Sequence, residues 1–158
     1  MRNGERASAG SKQNPERSEI RRQRSEDKTQ GVPKMRINSA KELKVYQEAY
    51  SLAMEIFEIS KQWPPEEKYS LIDQVRRSSR SVCTNLREAW SKRRYKAHFV
   101  SKLTDSDGEN SETDTWLDFA KDCGYLKTSD HTRLTEKCTC VGKMLGSMLN
   151  NPTPFLQC

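Results

Sequence analysis

Eight basic side chains fall between positions 76 and 96, namely Arg76, Arg77, Arg80, Arg87, Lys92, Arg93, Arg94 and Lys96, against the single acid Glu88, a net of +7. At about 100° per residue on a helix, Arg76, Arg80 and Arg87 lie within roughly 40° of one another and form a ridge. Guanidinium groups at this spacing suit repeated phosphates, which arginine binds through two parallel hydrogen bonds, and Trp90 and Tyr95 lie near enough in sequence to offer stacking faces. A solvated helix face, or a partner for acids elsewhere in the fold, is the competing reading. That competitor is visible in the chain. Residues 105–122 hold Asp105, Asp107, Glu109, Glu112, Asp114, Asp118 and Asp122 against Lys121 alone, a net of −6. Opposite charge on two successive helices is expected where one meets the other in the same or a neighbouring subunit, setting register more than affinity.

Other constellations carry less chemistry. Asp105-Ser-Asp107-Gly108-Glu109-Asn110 suggests a calcium loop, but with Asp105 in first place the obligatory glycine position holds Asn110 and the bidentate glutamate position holds Trp116. Cys138 and Cys140 are two apart, about 200° around a helix, and do not chelate one zinc from one face. Two histidines, His98 and His131, and cysteines on or near apolar stripes give no nucleophile–base pair, and Glu88 with Glu112 reads as partners for arginine rather than an acid–base couple. The expectation is a protein that is not an enzyme and needs no cofactor and no metal.

The elements that position these residues follow from apolar spacing. Ser39-Ala-Lys-Glu42 fits a capping box, and from Leu43 through Tyr46, Ala49, Tyr50, Ala53, Ile56, Phe57 and Ser60 to Trp63 the three-and-four spacing predicts a first helix over about 41–62, stopped by Pro64-Pro65. Leu71, Val75, Ser78, Val82, Leu86 and Ala89 predict a second over 66–92, whose small core residues imply close approach to a neighbour. A third is predicted from Tyr95 to Cys123 on Phe99, Leu103, Trp116, Leu117 and Ala120, with Gly124 as its cap, and a fourth from Thr128–Asp130 to before Pro152 on Leu134, Cys138, Val141, Leu145 and Met148. Short connections make neighbours antiparallel, so the expected fold is all-α, an up-down four-helix bundle over 39–150 with a C-terminal tail at 151–158. On the third helix Ser106, Asn110 and Thr113 interrupt the apolar face. A buried strip of this kind requires hydrogen-bond partners, and a polar seam of an oligomer is preferred over a ligand pocket, with Asp105, Glu109, Asn110, Glu112 and Thr113 as the candidate interface.

Composition bounds the rest. With 158 residues, 33% hydrophobic and 32% charged, the chain has material for one compact domain of about 110–120 residues. Residues 1–38 contain ten Lys or Arg, five Asp or Glu and no aromatic, so they carry +5 of the formal +6 and are expected to be a disordered basic arm. That arm is either an attractor for nucleic acid or, the preferred reading, a passive extension before Met35. Nothing approaches the roughly 18 apolar residues of a membrane span, no apolar stretch follows the early charges, and five cysteines without paired spacing point to reduced thiols in the cytoplasm.

The runs Tyr46-Gln-Glu-Ala-Tyr50, Leu71-Ile-Asp-Gln-Val75-Arg76-Arg77-Ser-Ser, Asn85-Leu86-Arg-Glu88-Ala and Glu112-Thr-Asp-Thr115-Trp-Leu117-Asp-Phe-Ala120-Lys121-Asp122-Cys-Gly124-Tyr125-Leu126 resemble the four-helix-bundle proteins encoded in intervening sequences of bacterial large-subunit ribosomal RNA genes. The likeness spans about 43–149. It departs at Val82-Cys83-Thr84, where family members often have a proline, at Glu88-Ala-Trp90 in place of a Glu-Gly pair, and in the polar segment Asp105 to Ser111. The family is similar to the accessory variability protein of diversity-generating retroelements, a ring-shaped homopentamer whose basic surface binds reverse transcriptase and nucleic acid. The resemblance implies a non-enzymatic homo-oligomeric adaptor, a pentamer, binding RNA or DNA or a reverse transcriptase through its basic surface. The alternative is a structural interaction module whose charged helices serve oligomerisation alone.

Overall fold

The computed structural model describes residues 37–157, so the arm expected over 1–38 lies, but for its last two residues, outside the described part. Four α-helices follow one another: α1 Lys44–Ile59, α2 Asp73–Lys92, α3 Lys96–Asp122 and α4 Thr128–Asn150. α1 packs on α2 and α4, α2 on α3, and α3 on α4. Hydrogen-bonded contacts between neighbours run in opposite residue order. On α2 and α3, Ser78 meets Thr113 while Val82 meets Ser106; on α1 and α4, Ser51 meets Lys137 while Glu55 meets Arg133. The result is the antiparallel up-down bundle that the four stripes predict.

The helix ends show how the chain is punctuated. Ser39 Oγ accepts from the Lys41 amide at 3.3 Å, and Glu42 Oε2 accepts from the Asn38 amide at 3.1 Å. The cap thus organises a 3-10 turn, Ala40–Glu42, and α1 begins two residues later at Lys44. At its other end, α1 tightens into the 3-10 turn Ser60–Gln62 ahead of Pro64-Pro65. The second helix also starts later than its apolar spacing suggests, because a 3-10 turn at Pro65–Glu67 and a π-helical turn at Lys68–Ile72 precede α2. Gly124 ends α3 with φ 79°, a left-handed conformation that glycine adopts without strain, and the amides of Tyr125 and Leu126 return to Ala120 O at 2.9 and 3.1 Å.

Two apolar clusters fill the bundle. One gathers Leu43, Val45, Ala49, Val82, Leu86, Phe99, Leu103, Val141 and Leu145; the other gathers Leu52, Ile56, Trp63, Leu71, Val75, Leu117, Leu134 and Cys138. Between them lies a polar waist of buried Ser78, Ser79, Ser106, Asn110 and Thr113. Ser106 Oγ donates to Val82 O at 2.9 Å, Asn110 Nδ2 to Cys138 O at 2.9 Å, and Thr113 Oγ1 lies 2.9 Å from Ser78 Oγ and 2.8 Å from Glu109 O. The small side chains let α2 approach α3, and Gly142 of α4 faces the Asn110 side chain, a Cβ there standing 3.4 Å from Asn110 Nδ2. The polar seam expected between copies at Asn110 and Thr113 is therefore inside one chain. Asn110 Nδ2 is bonded to α4 and Thr113 to α2 and to its own helix, while Asn110 Oδ1 is buried without a hydrogen-bond partner; both residues are buried within the bundle.

Residues 152–157 of the C-terminal tail contact the bundle. Pro152 is buried, Phe155 stacks on Phe99 with ring centres 6.3 Å apart, and the Gln157 amide donates to Arg93 O at 3.2 Å. Among the described residues no helix is long and apolar enough to cross a membrane.

Candidate nucleic-acid interface

Successive residues of a helix point about 100° apart, so the adjacent arginines of α2 serve different neighbours. Arg76 turns toward α1. Its Nε donates to Ser60 Oγ at 2.7 Å, and its guanidinium lies 5.0 Å from the centre of the Phe57 ring. Arg80, one turn further on and exposed, lies 5.5 Å from the same ring centre. Arg87 reaches the cap of the first turn, where its Nη1 donates to Ser39 Oγ at 3.1 Å. None of the three forms an ion pair among the described residues. A shallow depression along this part of the helix is lined by Arg76, Arg77 and Arg80 together with the acid Asp73 and with Gln74, Ser81 and Thr84.

Arg77 turns the other way, toward α3. Its guanidinium bridges Glu109, at 3.2 Å, and Glu112, whose Oε1 also accepts from Trp116 Nε1 at 3.1 Å. The Trp116 hydrogen bond and the Arg77 charge hold the Glu112 carboxyl below the usual range, and the Glu112 bond raises Arg77. Asp105 meets Lys102 at 3.1 Å, and Lys102 in turn meets Glu88 at 3.1 Å. The opposite charges of α2 and α3 are thus partly joined within the chain. Asp105, Glu109 and Glu112 stay at the surface, each beside a cation of its own bundle.

The remaining basic candidates cluster where α2 turns into α3. Lys92 pairs loosely with Glu88 at 3.5 Å; the Arg93 guanidinium lies 4.1 Å from the Trp90 ring centre; Arg94 and Lys96 are exposed. The eight candidates therefore divide into the row Arg76, Arg80 and Arg87, the in-chain clamp Arg77, and the corner Lys92 to Lys96. Sequence reasoning missed Phe57, Ser60 and Ser39 as supports of the row. Their only signal was membership of the first helix's apolar stripe and cap, which does not say that an aromatic at the stripe's edge meets α2.

Elsewhere the reactive groups are subdued. Burial pushes the Cys83 thiol up to about 11 and the Cys138 thiol up to about 12, so neither is a thiolate near neutral pH. Cys140 is exposed while Cys138 is buried, as their separation around the helix requires. Among the described residues no three His, Cys, Asp or Glu side chains are grouped to hold a metal ion.

The family model described as 23S rRNA-intervening sequence protein matches residues 41–147. A crystal structure of a protein with unknown function from the S23 ribosomal protein family of Bacteroides thetaiotaomicron is similar in fold, with a TM-score of 0.62 and 26% identity, covering 68% of this chain and 96% of that chain. No curated protein matches the chain.

Proposed function

Because the chain belongs to the 23S rRNA-intervening sequence protein family, we propose that it is a non-enzymatic, homo-oligomeric adaptor, a pentamer, that binds RNA or DNA, or a reverse transcriptase carrying it, through the basic side of α2. One observation carries this reading. Arg76, Arg80 and Arg87 line one side of α2 without a carboxylate partner among the described residues, and two of them rest on the Phe57 ring. Cations held in place without a counter-charge favour a repeated anion, and phosphates bound this way release condensed counterions.

In a second reading the protein is an interaction module whose charges serve assembly alone, meeting carboxylates of another copy as Arg77 meets Glu109 and Glu112 within the chain. The two readings separate on one variant carrying Arg76→Glu, Arg80→Glu and Arg87→Glu together. Under the adaptor reading, affinity for a structured RNA at low salt is lost while the light-scattering mass and helical content are kept. Loss of mass in the variant, with no RNA bound by the parent protein at low salt, would establish the assembly reading instead.

A further inference from the structure

The turn from α2 to α3 places an uncovered aromatic ring among cations. Residues 92–98 include Lys92, Arg93, Arg94 and Lys96 and no acid. Two aromatic side chains stand here, and they differ in what they offer. Trp90 is half-buried and already covered, because the Arg93 guanidinium lies over its ring at 4.1 Å while Arg93 Nη1 donates to Trp90 O at 2.6 Å. Tyr95 is 60% exposed, and its ring is tilted 50° to that of His98 at 5.7 Å between centres.

The backbone beneath this ring is fixed. The Tyr95 amide donates to Lys92 O at 3.0 Å, Tyr95 O accepts from the Phe99 amide at 3.0 Å, and Arg93 O is held by the Gln157 amide at 3.2 Å. With the backbone already fixed, only the two side-chain torsions of the ring remain to be ordered on binding, a smaller loss than a mobile loop would incur. Single exposed aromatics are ordinary on protein surfaces. What sets Tyr95 apart is its company: Arg94 and Lys96 on either side are exposed and without an ion pair among the described residues. The arginine row lies on the helix that leads into this turn, Arg76 and Arg87 being about 16 Å apart along its axis.

We propose that Tyr95, flanked by Arg94 and Lys96, is a stacking platform for an unpaired base of a nucleic acid whose backbone follows Arg76, Arg80 and Arg87. The inference rests on the phosphate-binding reading and narrows it. Bases inside a blunt duplex have no free face to offer, so the ligand is a strand with splayed or single-stranded bases.

The test compares a roughly 12-nucleotide oligoadenylate with a blunt RNA duplex of similar length at low salt, using the full chain and the variants Tyr95→Ala, Tyr95→Leu and Tyr95→Phe. Leucine keeps the apolar bulk and loses the ring; phenylalanine keeps the ring. Alanine and leucine are expected to weaken oligoadenylate binding about 5- to 150-fold, phenylalanine less than about twofold, with duplex binding unchanged in all three. Unchanged oligoadenylate binding by the alanine and leucine variants, where the triple glutamate variant loses both probes, overturns the stacking platform and leaves the phosphate reading standing. If the parent protein binds neither probe, both fall. A fall in light-scattering mass on Tyr95→Leu without any change in RNA affinity assigns the ring to a protein contact and overturns the proposal too.

Discussion

The Arg76 guanidinium lies 5.0 Å from the centre of the Phe57 ring, and Arg80 lies 5.5 Å from the same centre. One residue of α1 therefore supports two cations of α2. A cation over an aromatic face gains about 0.5–1 kcal/mol at an exposed site, and here that gain restrains long side chains that would otherwise lose rotamer freedom on meeting phosphate. Phe57→Leu is expected to lower RNA affinity about 2- to 5-fold, with the slope of log affinity against log salt unchanged because no charge is removed. Titrations at several salt concentrations check it. A shallower slope would mean that the substitution displaces the arginines rather than freeing them.

Arg77 shows the opposite behaviour one position along the helix. Its guanidinium is half-exposed and bridges Glu109 and Glu112 on α3. Solvent screening keeps such exposed pairs to about 0.2–1 kcal/mol, so Arg77→Met should cost stability of that order in a denaturant melt. RNA affinity should stay within about twofold, and the salt slope should not move. A drop of about one in that slope would show that Arg77 contacts a phosphate and that the clamp opens on binding.

These two arginines mark the limit of what the sequence makes legible. The four helices follow from apolar spacing, and Gly124 and the two prolines at 64 and 65 mark ends that the structure confirms. The later starts of α1 and α2 were not readable, because a 3-10 or π-helical turn carries the same apolar spacing over a few residues as an α-helix does. Ser106, Asn110 and Thr113 could be placed on the inward face of α3, but their partners are Val82 O, Cys138 O and Ser78, which belong to other helices. Spacing along one helix says which side chains share a face and not what that face meets. For the same reason the arginine ridge is legible as a row, and pairing of part of the basic run with acids is legible as an alternative, but which arginine turns to α3 is not. The support from Phe57 depends on how α1 lies against α2.

The acids of α3 give opposite pH responses in one helix. Burial raises the Asp114 carboxyl above its ordinary range, and the neighbouring Asp118 charge adds to this; His131, whose Nε2 lies 2.7 Å from Asp118 Oδ1, works the other way. A carboxyl raised by folding favours the folded state below its unfolded value of about 3.9, and that contribution is lost as pH rises through the raised value. At neutral pH the ionised Asp114 is therefore unfavourable, and Asp114→Asn should stabilise by up to about 1 kcal/mol, the gain vanishing below about pH 4. Glu112 has the reverse sign. Trp116 Nε1 and Arg77 lower its carboxyl, so its contribution is present above the unfolded value of about 4.3 and is lost as pH falls through the folded one. Because the Glu112 side chain is 37% exposed, Glu112→Gln should cost only about 0.2–1 kcal/mol at pH 7 and match the parent protein only once pH has fallen below the lowered folded value. Thermal melts of both variants between pH 3 and 8 check the pair of slopes. Destabilisation by Asp114→Asn at neutral pH would show that the ionised carboxylate is held by partners rather than penalised by burial.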